Sequence, residues 1–224
     1  NNRFLRQWHE VDNSKLGLNL SNSIQAKQSL KKWFPYNKGG DFRKWYGNFE
    51  NILNYENNGE ELREVVQNKY SQTSYAQGFS KEKWDKLIDV WVLKNKEFYF
   101  KEGITWSIIG SSNFGVRYAP EGSVFDVGGS SIFFKDYEHY EYYLGLLNSK
   151  VFLKIVQLLN PTLNFQVRDI RSMPIILENT NNISVMSNQN VLLSKTDWDS
   201  FETSWDFERH PLVIDSNHYS KISD

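Results

Sequence analysis

The sequence predicts an α+β fold in which a mixed or antiparallel sheet of short strands is flanked by helices. Apolar residues recur at helical spacing in the first part of the chain, and residues 97–134 hold short β-rich runs separated by glycines. Signals for helix starts and stops come after that region. The 224 residues are 39% hydrophobic and 16% aromatic, which is enough for a folded core and excludes a disordered chain.

Three helices are predicted before residue 95. Residues 15–33 carry leucine and isoleucine at loosely helical spacing, and Pro35 stops any helix soon afterwards. Helices are also expected over Glu60–Tyr70 and Ser80–Leu93, with Ser80 as the N-cap of the second. The first of the three would lead into a basic, aromatic segment.

The middle of the chain is expected to form the sheet. Its strand candidates are residues 98–100, 104–109, 115–118, 123–127 and 131–134. Asp136 and Ser149 can then cap two consecutive helices, separated by a stop at Asn148. A helical hairpin or kinked helix is therefore predicted after the sheet.

The predicted organisation has four parts. They are a helical and basic aromatic region at 1–95, a sheet with a helical hairpin at 96–177, a linker at 178–193 and the start of a C-terminal helical region at 194–224. The linker is expected because residues 178–190 are rich in Asn and Ser and poor in large core residues. In the last part, Trp198, Phe201 and Trp205 share one predicted helix face, which is expected to be a packing anchor.

Charge is unevenly distributed along the chain although its net value is −1. Residues 1–177 hold 23 Lys and Arg against 19 Asp and Glu, whereas residues 178–224 hold 3 against 8. The chain contains no cysteine, which fits a reducing compartment, and no apolar run reaches the roughly 18 residues of a membrane span. The polar first residues also resemble no signal peptide, so a cytoplasmic protein without a membrane partner is expected.

The segment from Lys32 to Asn48 interleaves cations, aromatic rings and glycines, a mixture that suits nucleic acid. A solvated basic surface over an aromatic cluster is the alternative. Trp45 and Tyr46 are candidates for stacking on bases. The candidates for phosphate contacts are Lys31, Lys32, Lys38, Arg43 and Lys44.

Two glycine-rich patches are interpreted as turns or as phosphate cradles, at residues 110–115 and 128–131. Polar residues on or near such turns are of the types that read base edges. The candidates for base reading are Asn113, Arg117, Gln166 and Arg168.

Catalytic motifs are missing. The four histidines have no metal-ligand spacing, and no Asp-x-Lys or Glu-x-Lys sequence of a metal-dependent nuclease occurs. The stretch beginning Asn160-Pro161 lacks the second proline and the aromatic residue of an adenine methyltransferase loop. No catalytic or metal-binding residue is therefore assigned.

Four blocks of sequence nevertheless resemble the PglX proteins of BREX phage-defence systems, which are adenine-specific DNA methyltransferases related to single-chain restriction-modification enzymes. The blocks are Lys32–Asn48, Phe100–Ser107, Leu146–Lys150 with Leu159–Gln166, and Asp197–Phe207. The Leu-Leu-Asn-Ser-Lys sequence is less specific, because similar sequences occur in target-recognition domains of other restriction-modification specificity proteins.

The resemblance implies that this chain is a fragment from the C-terminal half of such an enzyme. In that family the S-adenosylmethionine-binding and Asn-Pro-Pro-Tyr motifs lie N-terminal to this region, so no cofactor is expected in this chain. The chain would form the target-recognition domain and the start of the next region, with double-stranded DNA and the N-terminal methyltransferase domain as partners. The alternative is an interaction module that docks the methyltransferase half or other defence-system subunits.

Overall fold

The computed structural model describes residues 3–109, 113–136, 138–160, 162 and 164–215. Within them the strands are β1 Leu5–Gln7, β2 Trp33–Asn37, β3 Asn51–Asn54, β4 Gly103–Ser107, β5 Val116–Ala119, β6 Val124–Phe125 and β7 Gly129–Ile132. The α-helices are α1 Ser23–Gln28, α2 Glu56–Tyr70, α3 Lys81–Trp91, α4 Tyr140–Asn148, α5 Lys150–Leu159, α6 Val167–Arg171, α7 Thr180–Asp199 and α8 Pro211–Asp215.

The strands form two small sheets. The first has the order β1-β3-β2-β6, in which β2 and β6 are parallel and the other pairs are antiparallel. The second is antiparallel, with the order β5-β4-β7. The predicted α+β class with short mixed or antiparallel strands is confirmed, but the strands are divided between two sheets and β1 to β3 come from the region expected to be helical.

The helix predicted over residues 15–33 is mostly wrong. Only α1 is α-helical, and its N-cap is Asn22, whose side chain accepts hydrogen bonds from two backbone amides of the first turn. Leu30 has a left-handed backbone with φ 54°, which ends the helical path. Trp33 and Phe34 are buried on opposite faces of β2, because successive strand residues point to opposite sides and the two rings pack in separate core clusters.

Two of the three predicted caps are present. The Ser80 side chain accepts from the amide of Lys83 at the start of α3, and the Ser149 side chain accepts from the amide of Phe152 at the start of α5. Asp136 does not cap α4, which begins at Tyr140. The regular turns of α2 begin at Glu60, as predicted, because Asn57 to Gly59 are left-handed.

Residues 98–100 do not form the expected strand. Lys96–Phe98 is a short 3₁₀ helix, and Phe100 has a positive φ of 69° and is fully buried. The aromatic side chains of this segment fill the core between the first sheet and its helices. Burial of these rings in an irregular segment explains their aromatic character without a strand.

The segment for which a linker is predicted is helical. It forms the first part of α7, which packs closely on α4, and a Cβ added to Gly145 would lie 2.4 Å from Oγ of Ser187. A glycine and a serine allow this close contact, so few large residues are needed. The division of the chain into domains stays a prediction.

Candidate nucleic-acid interface

One end of the three-stranded sheet brings several loops together. β4 ends there at Ser107, where β5 and β7 begin. The Ser107 hydroxyl donates to the carbonyl of Gly40 over 2.9 Å, which attaches the Lys38–Gly40 loop to the sheet. We call this surface the loop end.

The turn at Gly39–Gly40 and the turn at Gly128–Gly129 pack against each other at the loop end. A Cβ on Gly39, whose φ is +88°, would lie 2.6 Å from the carbonyl oxygen of Gly128. Gly128 and Gly129 connect the two sheets rather than forming a hairpin, since β6 pairs with β2. Neither of these two turns is open as a cofactor cradle. In the other glycine-rich patch, at residues 110–115, Gly110 to Ser112 lie outside the described residues.

Lys38 is exposed on this loop and forms no ion pair with any other described residue. It borders a cleft of about 430 Å³ that Arg43 also lines. Asp41 and Glu50 line the same cleft, so its charge is mixed. Lys38 therefore remains a candidate phosphate contact at the rim of a polar cleft.

Lys31 and Lys32 lie far from Lys38. Six residue steps along β2 correspond to about 20 Å between Lys32 and Lys38. Lys31 Nζ donates to the Ser14 carbonyl over 2.5 Å, whereas Lys32 lies 3.4 Å from Glu61 and 3.7 Å from Glu56. The basic run therefore does not form one patch: two carboxylates neutralise Lys32, and Lys31 is bound to a backbone carbonyl.

Arg43 and Tyr46 pack against the C-terminal acidic segment. The Arg43 guanidinium lies 4.8 Å from the ring centre of Trp198 and 3.8 Å from the Asp197 carboxylate. Tyr46 is buried against Phe49 and Trp198. Tyr46 is thus part of a core and not a free ring, while Arg43 is held loosely because 3.8 Å exceeds hydrogen-bond distance.

Trp45 is anchored by its backbone to β5. Its amide donates to the Val116 carbonyl over 2.9 Å, and its carbonyl accepts from the Tyr118 amide over 2.7 Å. The backbone is left-handed, with φ 71°. The half-buried side chain lines a groove beside α4 and α7. Stacking on a base would therefore use only the exposed part of the ring.

Lys44 lies at the start of α5, next to Lys150. Its Nζ donates to the Asn148 carbonyl over 2.8 Å, and burial together with the Lys150 charge lowers the pKa of Lys44. Neither lysine forms an ion pair within the described part of the chain. The positive end of the α5 dipole adds to these two charges, so this position favours an anion.

Asn148 explains why the Leu146–Lys150 block joins sheet and helices. Its side-chain amide donates to the Val116 carbonyl over 3.0 Å, and its side-chain oxygen accepts from the Val116 amide over 3.0 Å. This pairing extends the ladder of β5 with a side chain. Asn148 therefore positions both β5 and the α5 start that carries Lys150.

The base-reading candidates occupy different environments. Asn113 is exposed and Gln166 is half-buried just before α6. The Arg168 side chain is 78% exposed and lies 3.6 Å from Asp169. Arg117 is only 3% exposed, because it lies on β5 under the basic run. A base edge, which lies recessed in a DNA groove, does not suit this buried position, so Arg117 is left out of the base-reading set.

The turn at 160–166 is fixed by hydrogen bonds that bring Gln166 to the loop end. The Asn160 side-chain amide donates to the Asn164 carbonyl over 2.8 Å and to Asp169 over 2.7 Å. The Phe165 amide donates to the Ile108 carbonyl, just beyond β4, over 2.8 Å. Asn160 has a structural role here, and Pro161 and Leu163 lie outside the described residues.

Sequence reasoning identified Arg168 but not the other three cations of α5 and α6. Lys150, Lys154 and Arg171 are exposed, and residues 150–171 contain four cations against the single carboxylate of Asp169. The spacing of Lys150 and Lys154 places them on one helix face. A charge count over these residues was the signal that could have found them.

The fold and the site together define an α+β module with polar loops and unpaired lysines near one end of a sheet. Within the described ranges, no three His, Asp or Glu side chains lie together in a way that could hold a metal ion. None of the described helices is both long and apolar enough to cross a membrane. The surface near the loop end presents lysine ammonium groups and polar side chains, which are groups that bind anions and hydrogen-bonding partners.

Comparison with known proteins relates the chain to part of two curated enzymes. It is 38% identical over 213 residues to the adenine-specific methyltransferase BrxX of Escherichia coli O9:H4 (strain HS). It is 34% identical over 210 residues to the adenine-specific methyltransferase PglX of Lacticaseibacillus casei (strain Zhang). The chain matches no protein-family model.

The similarity covers 94% of this chain but only 15% and 16% of the two relatives. The resemblance to PglX inferred from the sequence blocks is confirmed by these matches. The chain is thus homologous, along nearly its whole length, to a segment of PglX-type adenine-specific methyltransferases.

Proposed function

We propose that this chain is the DNA target-recognition region of an adenine-specific DNA methyltransferase that acts in phage defence. Homology to segments of BrxX and PglX supports the methyltransferase context. The loop end supports a role in recognition, since it presents polar side chains on several loops held by a rigid sheet. Double-stranded DNA is the partner that this role requires.

The observation that carries the proposal is the pair formed by Lys44 and Lys150. The two lysines lie beside the N-terminus of α5 and form no ion pair in the described chain, and burial together with the Lys150 charge lowers the pKa of Lys44, so an anion is favoured there. A DNA phosphate supplies that anion. Lys38 adds a third unpaired cation at the loop end, so these three replace Lys31 and Lys32 as the proposed phosphate contacts.

Sequence discrimination is assigned to Asn113, Gln166 and Arg168. Asparagine and glutamine suit adenine edges, and arginine suits guanine, at roughly 1–3 kcal/mol for each bidentate contact. The first two lie at or beside the loop end, and the last is on the exposed side of α6. Methyl transfer and S-adenosylmethionine binding are assigned to the rest of a longer enzyme, because this sequence lacks an Asn/Asp-Pro-Pro-aromatic loop.

A salt series separates the two groups of lysines. The triple variant changes Lys38, Lys44 and Lys150 to glutamine. In fluorescence anisotropy with duplex DNA, this variant should reduce the slope of log affinity against log salt by about 2.7. The control is the double variant Lys31→Gln and Lys32→Gln, which should leave the slope unchanged. Equal slopes in the wild type and the triple variant would remove these lysines from the interface.

A second candidate function is docking of the methyltransferase half or of other defence-system subunits. Residues 179–194 contain no charged side chain, although most of them form the exposed part of α7. Four large apolar side chains point to solvent there, at a seven-residue repeat: Val185, Met186, Leu192 and Leu193. Depletion of charge around exposed apolar residues is typical of the centre of a protein interface.

The docking function predicts a different result from the DNA function. Changing Met186 and Leu193 together to glutamate should abolish association with the separately produced remainder of the parent enzyme, without lowering the melting temperature of this chain. The matched control makes the same change to glutamate at Ser184 and Val191, on the inward side of the helix. Loss of stability is expected for this control instead. Unchanged association would show that the exposed apolar side chains of α7 have no docking role.

A further inference from the structure

Arg117 is a buried cation that the proposed surface contacts do not use. It lies in the middle of β5, opposite Thr105 on β4, and Trp45 runs beside it as a parallel bridge. Its side chain is 3% exposed, and its Nε is fully buried without a hydrogen-bond acceptor. No hydrogen bond joins the Arg117 Nε to Thr105, whose hydroxyl is directed at carbonyls of β7.

No carboxylate compensates this charge in the described chain. Neither a hydrogen bond nor an ion pair of the Arg117 side chain is found among those residues. Burial and the charge of Arg43 lower the pKa of Arg117 to about 10, so the guanidinium still carries its proton at neutral pH. A buried, charged and unpaired group is costly, and folded chains keep such groups chiefly where a ligand completes them.

The charged neighbour of Arg117 is another arginine. Arg43 repels it and is itself held only by its stacking on Trp198 and a 3.8 Å approach to Asp197. An anion placed between the two guanidinium groups would convert this repulsion into attraction for both. Guanidinium groups bind phosphate oxygens in a bidentate manner, which makes an oxyanion the fitting ligand.

We propose that Arg117 and Arg43 form an oxyanion site that receives a backbone phosphate of the bound DNA. This inference rests on the proposed function and deepens it, since it names a phosphate contact below the surface lysines. The site makes Arg117 a residue at which stability is sacrificed for binding. Removing the charge should therefore stabilise the free chain and weaken its complex with DNA.

The test compares Arg117→Met with Arg63→Met in the full chain. Methionine keeps the apolar stem of arginine and removes its charge. Arg63 is the matched control because it is a largely buried arginine that is paired, with Asp89 at 2.6 Å and Asp85 at 3.5 Å. Melting temperatures are measured in chloride and in inorganic phosphate at equal ionic strength, and duplex DNA affinity is measured across a salt series.

Arg117→Met should raise the melting temperature in chloride by about 2–4 °C or more and abolish the extra stabilisation by phosphate. It should weaken DNA binding at least tenfold and reduce the salt slope by about 0.9, the value for one phosphate. Arg63→Met should lower the melting temperature, keep the response to phosphate and leave DNA binding unchanged. Any general salting effect of phosphate appears equally in this control.

A second variant, Arg117→Lys, keeps the charge but not the two-pronged geometry, so it should bind DNA more weakly than the wild type. Wild-type affinity in this variant, or loss of stability in Arg117→Met with unchanged DNA binding, would overturn the site. If the wild type binds DNA and Arg117→Met binds it equally, the proposed function survives and this inference fails. If only phosphate binds, through Arg117, the oxyanion site stands and its assignment to DNA fails with the proposed function.

Discussion

Replacing Asn148 with alanine should separate β5 from the junction between α4 and α5. The Asn148 side chain is 5% exposed and satisfies both backbone groups of Val116, at 3.0 Å each. Alanine removes both hydrogen bonds. The Val116 carbonyl keeps its bond from the Trp45 amide, but the Val116 amide is left buried without an acceptor.

The expected loss can be calculated from these contacts. Two buried hydrogen bonds contribute about 1 kcal/mol each, and an unsatisfied buried amide costs about 1–3 kcal/mol. Because these terms overlap for the Val116 amide, the free energy of unfolding should fall by about 2–4 kcal/mol. In a chain of this size that corresponds to a decrease in melting temperature of about 5–15 °C.

Differential scanning calorimetry can measure this loss against a matched control. Asn188→Ala makes the same chemical change at an exposed position of α7, where alanine should be neutral or should stabilise by a few tenths of a kcal/mol. Equal melting temperatures for Asn148→Ala and Asn188→Ala would refute the reasoning, because they would show that the paired hydrogen bonds to Val116 contribute nothing net.

Two further predictions concern other parts of the fold. Trp198→Ala should lower the free energy of unfolding by about 3–5 kcal/mol in urea denaturation, because its ring is buried against Tyr46 and Phe49; Trp91→Ala, at an exposed ring, should change it by less than about 0.5 kcal/mol. Burial raises the pKa of Asp89, but the bonds of its carboxylate with Lys96 and Arg63 outweigh burial and lower the pKa overall. The stabilisation by Asp89 is therefore present above about pH 4 and is lost as pH falls through the lowered pKa. Asp89→Asn should therefore cost about 1–2 kcal/mol at pH 7, and this difference from the wild type should shrink progressively as pH falls below about 4. A difference that stays constant through the whole acid range in which both proteins remain folded would contradict it.

The sequence predicted those features that depend on neighbours along the chain. β4, β5 and β7 arise from β-branched and aromatic runs bounded by glycines, and the caps at Ser80 and Ser149 from side chains that bond their own helix. The helical hairpin arises from the stop at Asn148. The second role of Asn148, pairing with Val116, depends on residues 32 positions apart and was not predictable from the local pattern.

The predictions of secondary structure and of site residues were wrong where tertiary contacts override the local sequence pattern. β2 was missed because its residues continue an apolar stretch that also fits helical spacing, and only β3 and β6 pairing makes it a strand. α7 was missed because a helix packed through Ser187 and Gly145 needs no large core residues. Among the site residues, the charge of Lys32 is cancelled by Glu56 and Glu61, which lie outside the basic segment Lys32–Asn48.

The acidic C-terminal segment illustrates the same limit. Its aromatic residues Trp198, Phe201 and Trp205 were predicted to share a helix face that serves as a packing anchor. Trp198 is indeed a buried anchor, although Phe201 is exposed and lies beyond the end of α7. The segment packs on Arg43 and Tyr46, inside the basic run itself. Only the folded structure shows which basic residues remain unpaired beside it.

Mapping methylated adenines in cells that carry the full-length parent enzyme tests the central claim most directly. The comparison is between the wild type and a variant with Asn113, Gln166 and Arg168 changed to alanine. If this region selects the target, the variant should methylate a relaxed or altered sequence motif while the protein remains abundant and binds S-adenosylmethionine. Methylation of the unchanged motif to the same extent would contradict target recognition by this region and favour the docking function.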